Sequence, residues 1–263
     1  MNKEYIEKIN VGNELPEAFE KKQFKVYYQP VFDAKTKKIK AAESLARWKH
    51  PKRGMISPAV FISTMERIGN IWELDLYILR NVINLLKQWK KNKENLIPIS
   101  VNLSRLDLSN EKMITRIFLE LEQNEPLCKY IRFEITESAY VDIGDDSREV
   151  LKKIREKGCE IYIDDFGSGY SSMACISKEN FDVIKMDMSL VKNIGTSKKC
   201  DAIVSATIDL THKLEGEIIA EGVETKEQYD FLVKNGCDYI QGYYFSKPLR
   251  EKDFENLVFN GKN

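Results

Sequence analysis

The sequence predicts an α/β chain folded as one modified (β/α)8 barrel of the TIM type, with an antiparallel first strand. Three observations carry this. Short runs dense in Ile, Val, Tyr and Phe alternate with amphipathic stretches along the whole chain, the pattern of repeated strand–helix units lining a parallel sheet. Eight such runs fit into 263 residues, close to the roughly 250 residues of a single barrel of this kind. The first two are separated only by Ala34–Lys38. That connection is too short for a crossover helix, so the pair is a hairpin and one of its strands runs against the rest.

Taken in order, the strand runs are Phe24–Asp33, Ile39–Trp48, Ile97–Leu103, Ile131–Ser138, Glu160–Asp165, Val183–Asp187, Glu217–Glu221 and Tyr239–Phe245. Apolar residues recurring at three and four mark helices at Pro58–Ile68, Trp72–Trp89, Glu111–Leu121, Ser147–Lys157, Lys199–Lys213, Lys226–Lys234 and Glu251–Phe259. Within Asp201–Leu214 the expected core stripe is Ile203, Ala206, Ile208 and Leu210. After Asp165 the chain carries Gly167 and Gly169 and little helical patterning, so one unit has a long loop, and long irregular loops in compact domains are often functional. No linker or repeat interrupts the pattern, and residues 1–263 read as a single domain.

Composition narrows the function. Lys plus Arg and Asp plus Glu number 41 each, so no bulk positive field exists to hold DNA. The amino terminus MNKEYIEKIN is charged throughout and lacks the apolar run of a signal peptide. No stretch is long and apolar enough for a membrane span. Five scattered cysteines, without a C-x-x-C pair and with only His50 and His212 as imidazole partners, argue against zinc and disulfides alike and for a reducing, cytoplasmic compartment.

Barrel chemistry sits where strands end, so polar residues closing apolar runs are read first. They are Glu43 and Arg47, Asn102, Glu134 and Glu137, Asp164 and Asp165, Lys185 and Asp187, Glu221 and Glu224, and Gln241. If the strands converge, these carboxylates meet in one mouth, where mutual repulsion is relieved by a divalent cation. An all-oxygen donor set favours Mg²⁺ or Mn²⁺. The adjacent Asp164-Asp165 pair suits two ions, as in phosphodiester hydrolysis.

These residues lie in ordered motifs: YYQP (Tyr27–Pro30), ESLARW (Glu43–Trp48), SVNLS (Ser100–Ser104), FEITES, DDFGSGYSS, DVIKMD, AEGVET and QGYYFSKPL. From about Leu15 to Leu249 the chain resembles the EAL domain, the cyclic di-GMP-specific phosphodiesterase family. The namesake tripeptide reads Glu43-Ser44-Leu45, a small-for-small change at a position not expected to touch metal. The resemblance implies hydrolysis of cyclic di-GMP to linear pGpG by metal-activated water, lowering the level of a bacterial second messenger. Glu43, Asn102, Glu134 and Asp164 would hold one metal, with Asp164 bridging to a second held by Asp165 and Glu221. Glu221 and Lys185 are the catalytic candidates, Lys185 as a residue orienting water and stabilising phosphoryl charge. Gln29, Arg47, Asn102 and Asp187 are the substrate-binding candidates. A guanidinium suits the phosphate because its planar fork matches two oxygens.

The segment Asp165–Ser172 resembles the family's loop after the fifth strand, which in relatives couples metal, substrate and dimerisation. Here Gly167 supplies pliancy, Ser168 replaces the usual Thr, and Glu137 would tether the loop, while Glu224 and Gln241 support the site. A homodimer is implied, as are attached sensory or diguanylate cyclase domains if the unit is cut from a longer chain. Departures are Met188 where Arg is frequent, Ser63 where Pro is frequent, and Met173-Ala174-Cys175-Ile176 after the paired serines. The alternative reading is a non-catalytic EAL domain that senses cyclic di-GMP; such relatives lose a metal ligand or the loop, and neither loss is visible.

Overall fold

The Ala34–Lys38 turn closes the expected hairpin. Asp33 Oδ1 accepts the amides of Lys35 and Thr36 at 3.1 and 2.7 Å, the local bonding that makes Asp a turn former. Strand β1 (Phe24–Asp33) therefore pairs antiparallel with β2 (Ile39–His50), from Phe24↔Trp48 to Phe32↔Ile39. The protein is described by a computed structural model over residues 3–169 and 181–261.

From β2 the sheet continues in parallel through β4 (Ile99–Asn102), β5 (Ile131–Thr136), β6 (Glu160–Phe166), β7 (Val183–Met186), β8 (Glu217–Ala220) and β9 (Tyr239–Ile240). Strand β9 returns to β1 antiparallel and closes the eight-stranded barrel. A short β3 (Gly54–Ile56) folds back on the upper end of β2.

The eighth wall departs from the expected run Tyr239–Phe245. Its ladder stops at Ile240, because Gly242 lies against Val223, where a Cβ would stand 2.1 Å from the Val223 carbonyl oxygen. Turn bonds from Phe245 and Ser246 to the Gly242 carbonyl then carry the chain out of the sheet. It re-enters as β10 (Leu249–Arg250), pairing with Tyr28 and Tyr27 on β1, whereas β9 pairs with Phe32 and Asp33. The strand is thus split into two pieces around residues 241–248.

Helices cover the barrel where the periodicity places them. In Ile71–Lys91 the buried face is Leu74, Ile78, Leu79, Val82, Leu86 and Trp89, and burying each such side chain stabilises by about 1.5–3 kcal/mol. In Lys198–Lys213 the stripe is corrected: Val204, Ile208 and Thr211 are buried, while Ile203 is exposed. Offsets of four and three keep 204, 208 and 211 on one side, whereas 203 and 210 fall one residue off it and 206 two. An amino-terminal helix, Lys3–Glu20, was not expected. Its apolar residues Val11, Leu15 and Ala18 pack on helix Pro58–Ile68, but Gly12, Pro16 and a dense charge pattern obscure them. Residues Ser171, Ser172 and Met173–Ile176, including Cys175, lie outside the described residues.

Candidate active site

Strand alternation decides which side chains enter the barrel. The register sets Gln29 opposite Glu43 and Asn102 beside Glu134, while Asp164 lies beside Thr136, two positions beyond Glu134. One face of neighbouring strands thus delivers polar groups at adjacent heights near the carboxyl ends.

At the centre stands Lys185 on β7, 1% exposed. Its Nζ lies 2.8 Å from Glu221 Oε1, 2.9 Å from Glu134 Oε2, 3.1 Å from Asp164 Oδ1 and 3.5 Å from Glu43 Oε2. One ammonium thus serves four carboxylates from four different segments. Gln241, delivered by the break in the eighth strand, donates from Nε2 to Glu43 Oε2 at 2.5 Å. Ser44 points elsewhere: its hydroxyl donates to the Ser100 carbonyl at 2.5 Å, so the Ala-to-Ser change of the namesake motif is satisfied within the sheet.

The excess of acid over base is legible in proton affinities. Burial, with Glu43 and Asp164 adding, pushes Glu134 up to about 8 against the pull of Lys185. Burial, then Asp164 and Glu43, holds Glu221 well above the carboxylate range. Burial works against the Lys185 ammonium, yet Asp164, Glu134, Glu221 and Glu43 outweigh it and raise its pKa. Asp165 is pushed up to about 6 by burial and by Asp164 and Asp187.

Asp164 and Asp165 share a side because the backbone breaks strand alternation there. Asp165 takes a left-handed φ of 56°, the β6–β7 register shifts between Ile163 and Phe166, and the Asp165 amide donates to Asp164 Oδ1 at 2.9 Å. A bulge that re-aims side chains at a site is a recurrent device. One oxygen each of Asp164, Asp165 and Glu221 then lies within 4.8 Å of the others, a donor set that fits a hard divalent cation. Charge excess, desolvation and oxygen chemistry all agree with that fit.

Just beyond, Glu137 at the start of helix Glu137–Asp142 accepts the Gly167 amide at 2.9 Å. Gly167 has φ 89°, and a Cβ there would meet Leu190 Cδ1 at 2.4 Å. Ser168 follows in the same turn, its amide on the Asp165 carbonyl at 3.1 Å. A cavity of about 560 Å³ is lined by Arg47, Asn102, Ser104 and Glu134 together with Ile62, Ile71, Leu74 and Ile78. Arg47 is half-buried over the Tyr27 ring at 5.8 Å, and burial lowers its pKa against Glu43.

The structure therefore gathers Glu43, Glu134, Asp164, Asp165, Lys185, Glu221 and Gln241, with Arg47 and Asn102 in the cavity wall and Gln29 across the ladder from Glu43. Asp187 accepts the Ser189 amide at 2.9 Å through Oδ1, capping helix Met188–Val191, and its charge also bears on Asp165. One expected residue stands apart. Glu224 is exposed and, among the described residues, makes no hydrogen bond or ion pair to the acids; the Thr225 capping box with Gln228 holds its backbone instead. The sequence reading missed a further buried acid pair, Asp75 and Asp107. The signal was an Asp on the apolar face of Ile71–Lys91.

Fold and site define a class: a (β/α)8 barrel with one reversed strand and a desolvated acid cluster at its strand ends. The chain belongs to the EAL domain family, whose profile matches residues 12–248. It is 32% identical over 243 residues to the cyclic di-GMP phosphodiesterase NbdA of Pseudomonas aeruginosa, covering 92% of this chain and 31% of NbdA. It is 31% identical over 256 residues to the cyclic di-GMP phosphodiesterase PdeR of Escherichia coli, covering 97% of this chain and 38% of PdeR. The chain thus spans about a third of the length of these curated relatives. Among solved structures, the EAL enzyme Bd1971 in its cAMP- and cyclic-di-GMP-bound form superposes with a TM-score of 0.88 at 30% identity, over 97% of this chain and 69% of that one. The PaMucR phosphodiesterase in complex with cyclic di-GMP gives 0.87 at 29% identity, over 93% and 99%.

Proposed function

We propose that this barrel hydrolyses cyclic di-GMP to linear pGpG with Mg²⁺ or Mn²⁺ at a two-ion site. The observation that carries the reading is the buried cluster in which Glu43, Glu134, Asp164 and Glu221 crowd one lysine while Asp165 is turned in to join them. When bound, two cations would activate water and neutralise charge on the phosphate. Asp164, Asp165 and Glu221 would hold one ion, and Glu43, Asn102, Glu134 and Asp164 the other.

The chain's own groups do the rest. Arg47 offers a phosphate its fork at the mouth of the cavity, and partial burial strengthens that contact. Lys185, faced by four carboxylates that favour its ammonium, is placed to orient water and stabilise developing phosphoryl charge. Gln29 and Asn102 present amides to the base and sugar edges. Gln241 and Glu137 hold Glu43 and the Gly167 turn in place. The cavity is within the ~300–1,000 Å³ of small-molecule sites. Family likeness extends the proposal to a homodimer with the turn Asp165–Gly169 near the subunit contact, and to a cytoplasmic setting. No helix among the described residues is long and apolar enough to cross a membrane.

The test is incubation with cyclic di-GMP in excess chelator and then with Mg²⁺, Mn²⁺ or Ca²⁺, with chromatography of products. The expected result is pGpG with Mg²⁺ or Mn²⁺ only, since the longer, looser bonds of Ca²⁺ spread the clamp. Binding without product would make the domain a sensor, and full activity in chelator would overturn the metal assignment.

A further inference from the structure

Asp75 lies on the buried face of helix Ile71–Lys91, between Leu74 and Ile78, and reaches the wall of the cavity. Asp107 belongs to the short helix Arg105–Leu108 that follows β4 and its last residue, Asn102. Both acids are buried, Asp107 completely. Asp107 Oδ2 accepts the Ser104 amide at 3.0 Å in a capping box. Its Oδ1 is buried and, among the described residues, receives no bond from a nitrogen or hydroxyl. Each carboxyl bears on the proton affinity of the other, and a bond between two carboxyls needs a proton on one of them. The remaining charges around Asp75 are unhelpful: Glu66 on helix Pro58–Ile68 is a further acid, and the Ser104 amide is the other donor. A proton on Asp75 directed at Asp107 Oδ1 would give that buried acceptor its donor.

We propose that Asp75 is a positioning residue: as a neutral acid it donates its proton to Asp107 and pins the turn Leu103–Leu108, which sets Asn102 and Ser104 in the cavity wall beside Arg47 and Glu134. The neutral form follows from a buried acceptor without a donor beside a second buried carboxyl, and burial raises the proton affinity of Asp75 in the same direction. The consequence for catalysis rests on the phosphodiesterase reading. The consequence for the proton does not.

Two readouts on the full chain separate these. In the first, Asp75→Asn keeps a donor toward Asp107 and Asp75→Leu removes it. Asp75→Asn should retain KM for cyclic di-GMP within about twofold, and Asp75→Leu should raise KM or the Mn²⁺ concentration for half-activation about tenfold, the worth of one buried hydrogen bond. If the wild type binds without turnover, Kd for cyclic di-GMP replaces KM. In the second, melting temperature is followed with pH. An acid with raised folded pKa loses its stabilising contribution as pH rises from the ordinary carboxylate range through that value, so the wild type should fall behind Asp75→Asn as pH is raised above that range. Asp107→Asn turns a donor toward Asp75, so its deficit against wild type should shrink over the same rise in pH. Equal impairment of Asp75→Asn and Asp75→Leu, an unaffected Asp75→Leu, or parallel melting curves for wild type and both Asn variants would each overturn the proposal. Should Asp75→Leu fail to fold, the melting curves still decide whether the pair holds a proton, since both Asn variants must gain on the wild type as pH rises.

Discussion

Replacing Lys185 by Met removes the ammonium and leaves Glu43, Glu134, Asp164 and Glu221 facing one another around a position that is 1% exposed. Deleting one partner of a buried ion pair costs about 3–5 kcal/mol. For a 263-residue chain, at roughly 2–4 °C per kcal/mol, melting should fall by about 6–20 °C in chelator at pH 8. The loss should be pH-dependent with a definite sign. Glu134, already at about 8, and Glu221, held above its ordinary range, bind protons more tightly folded than unfolded. Their contribution is complete below the ordinary carboxylate range and drains away as pH climbs through the folded values. Lys185 holds both acids down, so without it they rise further and the variant loses more stability with pH than the wild type; the Lys185→Met deficit is smallest near pH 5 and largest above pH 8. A cation that binds only the folded state stabilises by about 2.7 kcal/mol at a hundredfold excess over its Kd, so Mg²⁺ or Mn²⁺ should restore much of the lost melting temperature without restoring turnover. Scanning calorimetry of both proteins at three pH values, with chelator and with metal, measures all of this. A variant that melts with the wild type at pH 8.5 in chelator, or a deficit that deepens toward acid, would refute the electrostatic account.

Glu43→Ala or Asp164→Ala should cut turnover by roughly 10³ or more with melting unchanged or higher, because repulsion is relieved; lower melting with normal turnover per folded molecule would make these acids structural. Gly242→Ala places a Cβ against Val223 backbone and should cost on the order of 3 kcal/mol, read as a lower urea midpoint. Glu137→Ala frees the Gly167 amide and should lower turnover and weaken any tightening of self-association by metal and cyclic di-GMP, checked by sedimentation; by linkage, ligand and partner must favour each other equally.

What could be read without coordinates was whatever repeats. Eight apolar runs named all eight barrel strands, and their polar closing residues named the acids, because strand period and strand-end chemistry are local properties of the chain. Exceptions to the repeat stayed hidden. The positive φ at Asp165 that brings two successive acids to one side is a backbone decision no neighbour advertises. The convergence of four acids on Lys185 depends on register across strands far apart in sequence. Asp187 has a second role that strand-end reasoning left unread, since a carboxylate preceding a helix is equally an N-cap, and here it is one. Asp75 was visible as a violation of an otherwise apolar face, which only its distant partner Asp107 explains.

The broken eighth wall uncouples two tasks that an unbroken strand would combine. Because β9 and β10 are separately anchored on β1, at Phe32–Asp33 and at Tyr27–Tyr28, the alignment of each half is set without reference to the chain between them. A residue gained or lost in 243–247 would not slip the sheet by one position and turn its side chains inside out, as it would in a continuous strand. Barrel closure is insulated from changes of length at this mouth, and Gln241, leaving β9 immediately after Ile240, keeps its aim at Glu43 whatever the excursion becomes. That segment is where the barrel can change its rim without re-solving its core.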